Sequence, residues 1–225
     1  MRNHFKRIEK EQEVSMNWEN LSLQKRYDVL LSLVNGIKDI KLKKMISNSL
    51  INDYEKLKEI SKQVSITGEL NEYYYERKGT IIFYFSEEIE FSFFLSLVFC
   101  QLLISNKMIM NNIIGEYYSI YEQELNSFQN LFKQQIKIES LTEIQDKIVK
   151  DKVNLLVLFG NKINGSQFSK IVSKRNDYIV KIIHESNLQI PLCIIDKDRV
   201  FSYCNERVKT TNLTAIGGNT DLLEI

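Results

Sequence analysis

The sequence predicts an α/β fold built on a mostly parallel sheet with flanking helices. Strand-type and helix-type runs alternate through the middle of the chain, which is the pattern of a parallel sheet wrapped by helices. Val153 to Phe159 is a continuous apolar run, as expected of a strand buried on both faces. Phe91 to Ile104 is apolar all round, which reads as a helix buried on every side.

Each element has its own signal. Met1 to Met16 is charged and reads as loose, whereas Asn17-Trp18 opens a helical pattern through Leu21, Leu23, Tyr27, Leu30, Leu31 and Val34 that Gly36 breaks. Leu42, Ile46, Leu50, Tyr54 and Leu57 continue in a second long helix, expected to end near Val64. Ser65 to Asn71 punctuates the chain. Tyr73-Tyr74-Tyr75 follows, Arg77-Lys78-Gly79 forms a turn, and Thr80 to Phe85 is a strand. Ser86-Glu87-Glu88 resembles an N-cap with an acidic first turn, leading into the apolar helix. After a turn at Ser105-Asn106, strands are expected at Lys107 to Asn111, Gln134 to Glu139, Val153 to Phe159, Tyr178 to His184 and Pro191 to Ile195. Helices are expected at Ile114 to Phe132, Leu141 to Lys150 (with Ser140 or Thr142 near its start), Ser166 to Arg175 and about Asp198 to Asn205.

Composition narrows the function. The 225 residues suit one domain with a substantial core, and 30 basic against 29 acidic residues leave a net charge of +1. That balance argues against nucleic acid as a partner, which calls for a basic excess or stripe. The three adjacent tyrosines, as a stacking platform, would need the same excess, and on a strand they alternate between faces. Cys100, Cys193 and Cys204 form no CxxC and no metal spacing, and nothing demands an oxidising compartment, so a cytoplasmic setting is expected. The charged N-terminus lacks the apolar stretch of a signal peptide, and Phe91 to Ile104 is too short to be transmembrane, which takes about 20 residues. The sequon Asn212-Leu213-Thr214 therefore carries no expected glycan.

Two places invite chemistry. Phe159-Gly160-Asn161-Lys162-Ile163-Asn164-Gly165 ends a buried strand and leads into a helix, where an open α/β sheet binds ligands and a helix N-terminus holds phosphate. It lacks the Lys of a phosphate-binding loop and is no GxGxxG, so a turn that needs two glycines is the favoured explanation. His184 beside Glu185 is a possible acid–base pair, but no nucleophile or third ligand lies near it in sequence.

The chain's last stretch is different in character. Thr210 to Thr220 carries no charge, is small and β-branched, and ends in a Gly217-Gly218-Asn219 turn signal, with Leu222, Leu223 and Ile225 as apolar anchors. It reads as a segment whose backbone presses on another surface. It also resembles the closing motif of proline utilization A, a bifunctional flavoenzyme of proline catabolism whose chains end in a pattern like Arg-Ser-Val-Asn-Thr-Ala-Ala-Gly-Gly-Asn. Arg207, Thr211-Asn212, Thr214-Ala215, Gly217-Gly218-Asn219 and Leu222-Leu223 fall on that pattern in register. Thr67-Gly68-Glu69-Leu70-Asn71, with Arg77 and Gly79, is similar to the Thr-Gly-Glu-Arg-Asn segment that opens the family's C-terminal aldehyde-dehydrogenase-like domain. Asn154 to Gly160 and Arg175-Asn176-Asp177 resemble two of its later strand regions, while Leu70 for Arg and Asp221-Leu222 depart from the pattern.

The resemblance implies a Rossmann-like domain, a degenerate aldehyde dehydrogenase NAD-binding domain that has lost catalysis and binds no cofactor. It implies docking on an L-glutamate γ-semialdehyde dehydrogenase module, where the closing motif covers the tunnel between two active sites. The residues it assigns to docking and capping are Arg207, Thr211, Asn212, Thr214, Gly217, Gly218, Asn219, Leu222 and Leu223; it assigns no catalytic, cofactor or metal residue. The chain then divides into a charged start (1–16), a helical layer (17–64), the α/β domain (65–206) and the docking motif (207–225). The rival expectations are a nucleotide-binding domain or enzyme using the Gly160–Gly165 turn, and a solitary remnant with no partner.

Overall fold

The computed structural model of the protein describes residues 18–58, 61–64, 69–111, 135–162, 165–176 and 179–212. Trp18–Asn20 forms a single 3-10 turn, and helix α1 (Leu23–Asn35) starts after Ser22, whose hydroxyl accepts the Lys25 N–H at 3.3 Å. Gly36 ends it, as the sequence indicates. Helix α2 (Ile40–Lys58) is shorter than expected: Ser61–Val64 is strand β1, because its backbone finds an antiparallel partner in β2 (Glu69–Arg77). The helix expected over 114–132 lies outside the described residues.

A five-stranded parallel sheet forms the centre. Its strands are β3 (Thr80–Phe85), β4 (Lys107–Asn111), β5 (Ile136–Glu139), β6 (Leu155–Phe159) and β7 (Lys181–Glu185), in spatial order β5-β4-β3-β6-β7. All five residues of β6 are buried, as its unbroken apolar run demands. Helices cover both faces. On one side lies α3 (Phe91–Ile104), in which every residue except Phe93 is buried, with α1 and α2 packed behind it. On the other side α4 (Leu141–Lys150) and α5 (Gly165–Val172) bury Ile144, Ile148 and Phe168 against Ile82, Leu156 and Leu158. A full capping box starts α4, with the Ser140 hydroxyl accepting the Glu143 N–H and the Glu143 carboxylate accepting the Ser140 N–H. Among the described residues no helix is long and apolar enough to cross a membrane.

Three local expectations change. The apolar helix begins at Phe91 with Glu90 at its N-cap position, because Ser86 and Glu87 are engaged elsewhere. Leu192–Ile195 is a one-turn helix, α6, where a strand is expected; Pro191 precedes it and its carbonyl accepts the N–H groups of Ile194 and Ile195. A short apolar run does not distinguish the two states, and here the turn points Ile194 into the core. The expected helix over 198–205 is only α7 (Arg199–Ser202), after which Cys204–Asn212 runs as strand β8. β8 pairs antiparallel along the whole of β2, from Arg77↔Cys204 to Glu69↔Asn212, making a separate three-stranded ribbon in the order β1-β2-β8.

Two buried polar nodes hold these parts together. Asn106, fully buried, accepts the Gly79 N–H at 3.0 Å and donates to the Gln101 side chain and the Tyr203 carbonyl, each at 2.9 Å. Arg199 on α7 is 5% exposed and meets Asp53 on α2, itself 1% exposed, at 2.7 and 3.3 Å. The same guanidinium donates to the Ser96 hydroxyl and carbonyl on α3 at 3.1 and 3.2 Å, and to the Ile194 carbonyl and the Ser49 hydroxyl. Asp53→Ala strips the carboxylate from a buried cation and is expected to cost about 3–5 kcal/mol in urea unfolding. Asp146→Ala, which removes an exposed i,i+4 partner of Lys150, is expected to leave the unfolding midpoint unchanged within error.

Candidate functional site

The sheet order places a switch point between β3 and β6, the strands from which the connections run to opposite sides. The crevice at their C-terminal ends is where an open α/β sheet receives a ligand. Here the two turns that leave β3 and β6 bind each other. The Ser86 N–H and hydroxyl both donate to the Phe159 carbonyl, at 2.9 and 3.0 Å. The Glu87 carboxylate accepts the Asn161 N–H at 2.7 Å and the Lys162 N–H at 3.2 Å. Gly160 has φ = +101°, and a Cβ there would stand 2.5 Å from the Ser86 hydroxyl and 3.1 Å from the Glu87 carboxylate. Glycine is thus required twice over, by conformation and by room.

That geometry decides what the turn accepts. Consecutive backbone N–H groups after a strand are an anion cradle. In this chain a carboxylate of the chain itself already sits in the cradle, and its charge repels any phosphate. A phosphate placed on these N–H groups would have to displace the Glu87 carboxylate. The sequence points to the Gly160–Gly165 turn but not to Glu87; the only signal for Glu87 is an acidic residue just past the strand on the other side of the switch point.

His184 and Glu185 do not act as a pair. As neighbours on β7 they face opposite ways. The His184 Nε2–H donates to the Gly160 carbonyl at 3.0 Å, a further tie on the same turn. Glu185 is buried and accepts the N–H groups of Asn187 and Cys193 at 3.2 and 3.1 Å. Each of the three thiols is held protonated. Burial pushes Cys100 well up, with the Asp53 carboxylate adding to the effect. Burial and then Glu185 push Cys193 up to about 12, and burial raises Cys204 to about 12 against the opposing charge of Lys78. None is poised as a thiolate nucleophile. Among the described residues no cluster of three or more His, Cys, Asp or Glu is placed to hold a metal ion.

Of the residues expected to dock, Arg207, Thr211 and Asn212 lie on β8. Arg207 forms an exposed ion pair with Glu76 at 3.1 Å across the ribbon, Thr211 stands opposite Leu70, and Asn212 opposite Glu69. The neighbouring Thr210 hydroxyl donates to the Asn71 side chain at 2.6 Å. β8 is an outer strand of the three-stranded ribbon. Thr214, Gly217, Gly218, Asn219, Leu222 and Leu223 lie outside the described residues. The Asp53–Arg199 node is not visible in the sequence as a pair, though Asp53 follows Leu42, Ile46 and Leu50 on the buried stripe of α2. An acid on an apolar stripe calls for a cation.

The class these features define is a fold: an aldehyde-dehydrogenase-like α/β domain with a parallel sheet and an antiparallel ribbon. No family model matches the chain, and no curated protein sequence does. Solved structures of that fold do match. Proline utilization A from Bdellovibrio bacteriovorus, inactivated by N-propargylglycine, aligns at 12% identity and a TM-score of 0.55, and a bifunctional proline utilization A protein at 11% and 0.58. Each alignment covers 78% of this chain and 21% of the other. Lactaldehyde dehydrogenase from Escherichia coli aligns at 14% identity and a TM-score of 0.50, over 78% of this chain and 42% of its own. The chain thus spans about a fifth of the proline utilization A chains it matches.

Two measurements check the site. Gly160→Val is expected to destabilise the fold by at least about 1–3 kcal/mol in urea unfolding, from the strained φ alone. A thiol-specific probe is expected to label native protein far more slowly than unfolded protein, and labelling of Cys193 and Cys204 is expected to keep rising with pH through 9 without the plateau that an ordinary thiol reaches.

Proposed function

We propose that this chain is a non-catalytic aldehyde-dehydrogenase-like domain that docks on an L-glutamate γ-semialdehyde dehydrogenase module and seals its substrate-channelling tunnel, in the manner of proline utilization A. The observation that carries this reading is the Glu87 carboxylate in the cradle at the switch point. A domain that binds a dinucleotide needs that place for phosphate, and this chain spends it on holding its own turns. Three thiols kept protonated by burial agree with an absence of nucleophilic chemistry. Among the described residues β8 is an outer strand of the ribbon, which suits docking by main-chain hydrogen bonds. The segment after β8, with Gly217-Gly218-Asn219 and Leu222-Leu223, supplies the cap and its anchors.

The test is a coupled proline-to-glutamate assay with separate proline dehydrogenase and semialdehyde dehydrogenase modules. Removing residues 213–225 leaves β8 whole and is expected to weaken association with the dehydrogenase module and lengthen the lag in product formation. Unchanged binding and unchanged lag would remove the capping role. The rival reading, a nucleotide-binding domain, makes the opposite prediction in calorimetry with NAD. No heat of binding is expected from the intact chain, and micromolar affinity lost in Gly160→Val would establish the rival.

A further inference from the structure

A second cleft, of about 380 Å³, lies at the other end of the molecule, under the ribbon and beside the C-terminal end of α3. Its walls are both apolar and charged. Leu23, Leu57 and Ile104 supply hydrocarbon, and Arg26, Arg77 and Ser105 supply polar groups. The two acids that also line it, Glu19 and Glu76, are engaged. Glu19 binds Arg77 and also Lys107, the latter at 3.0 Å, and Glu76 binds Arg207 at 3.1 Å.

Arg26 is left over. It is half-buried, and among the described residues no carboxylate is paired with it. Its Nε–H donates to the Leu103 carbonyl at 2.7 Å and its Nη1 to the Leu21 carbonyl. Those bonds anchor the end of α3 and use two of the five donors a guanidinium carries. Burial, and then the charge of Arg77, lower its pKa, which is the mark of a cation short of a counter-charge. Two residues beyond Leu103, Ser105 holds a left-handed conformation at φ = +70°. The residue is 2% exposed, and its hydroxyl has no hydrogen-bond partner among the described residues. A buried hydroxyl left unpaired costs about 1–3 kcal/mol, so its presence in the wall of the same cleft as a guanidinium with no carboxylate among the described residues needs a reason.

We propose that this cleft binds a small organic monocarboxylate. Its carboxylate sits between the Arg26 guanidinium and the Ser105 hydroxyl, and its hydrocarbon body lies against Leu23, Leu57 and Ile104. One uncompensated cation matches one negative charge, and the guanidinium fork matches the planar carboxylate. An inorganic phosphate would satisfy the charge but leave the apolar wall wet. The site is at the end of the molecule away from the switch point and does not depend on the docking role.

The experiment is calorimetry on the full chain with hexanoate, its neutral isostere hexanamide, and inorganic phosphate at matched ionic strength. Hexanoate is expected to saturate a single site and to bind at least about tenfold more tightly than either of the others. Arg26→Gln is expected to weaken hexanoate about tenfold or more, but it also loosens the end of α3. Ser105→Gly therefore serves as the second variant. It relieves the positive φ and is expected to leave thermal stability equal or higher, while hexanoate affinity falls severalfold. Equal binding of hexanamide, tighter binding of phosphate, the absence of saturation, or an unchanged affinity in Ser105→Gly would each overturn the proposal.

Discussion

The Asp53–Arg199 ion pair is the contact on which the arrangement of layers depends. Five hydrogen-bonding groups from α2, α3 and the α6 turn converge on one guanidinium: the Asp53 carboxylate, the Ser49 and Ser96 hydroxyls, and the Ser96 and Ile194 carbonyls. Burying a charge is unfavourable unless every donor is met, and here the geometry meets them. The consequence is positional. α7 leads directly into β8, so fixing Arg199 against α2 and α3 also fixes where the ribbon leaves the body of the domain. Tyr203, fully buried between α7 and β8, continues the constraint by accepting the Asn106 side chain at its carbonyl and donating from its hydroxyl to the Cys193 carbonyl.

The two ends of the parallel sheet are used in opposite ways. At the C-terminal end the chain closes on itself, with Ser86, Glu87 and His184 all bonded to the backbone of the turn after β6. The amide groups that make such turns good anion receptors are the reason a carboxylate of the chain is held there so well. At the N-terminal end, Asn106 and Asn154 stitch the strand starts together through the N–H groups of Gly79 and Thr80. Polar satisfaction is complete at those stitches but stops short at the Ser105 hydroxyl and the Gln101 Nε2, which lack partners among the described residues, although the Gln101 Oε1 accepts from Asn106.

The likeness to proline utilization A and lactaldehyde dehydrogenase structures, at 11–14% identity, is a likeness of backbone. Conserving a fold at that distance requires the apolar pattern and the turn geometry to persist while individual contacts change. The continuous apolar strand β6 and the all-buried helix α3 are the kind of feature that persists, since their burial is set by position in the sheet and not by any single partner. Functional groups are not protected in that way. The crevice residues here are best understood from their own contacts, and those contacts hold the turn shut.

The sequence by itself determined the class of fold, the burial of α3 and β6, the start of α4 near Ser140 or Thr142 and the break at Gly36, because each rests on local periodicity or on contacts within four residues. It also marked Gly160 as a turn that needs glycine. Only the tertiary structure decided that Leu192–Ile195 is helical and that Cys204–Asn212 is a strand. Short runs of apolar or β-branched residues suit either state, and what selects one is the partner that packing or an available strand edge provides. Only the tertiary structure, too, joined Glu87 to Asn161 and Asp53 to Arg199. These partners are separated by 74 and 146 residues, and the charge that each buried or bound group requires can be met from anywhere along the chain.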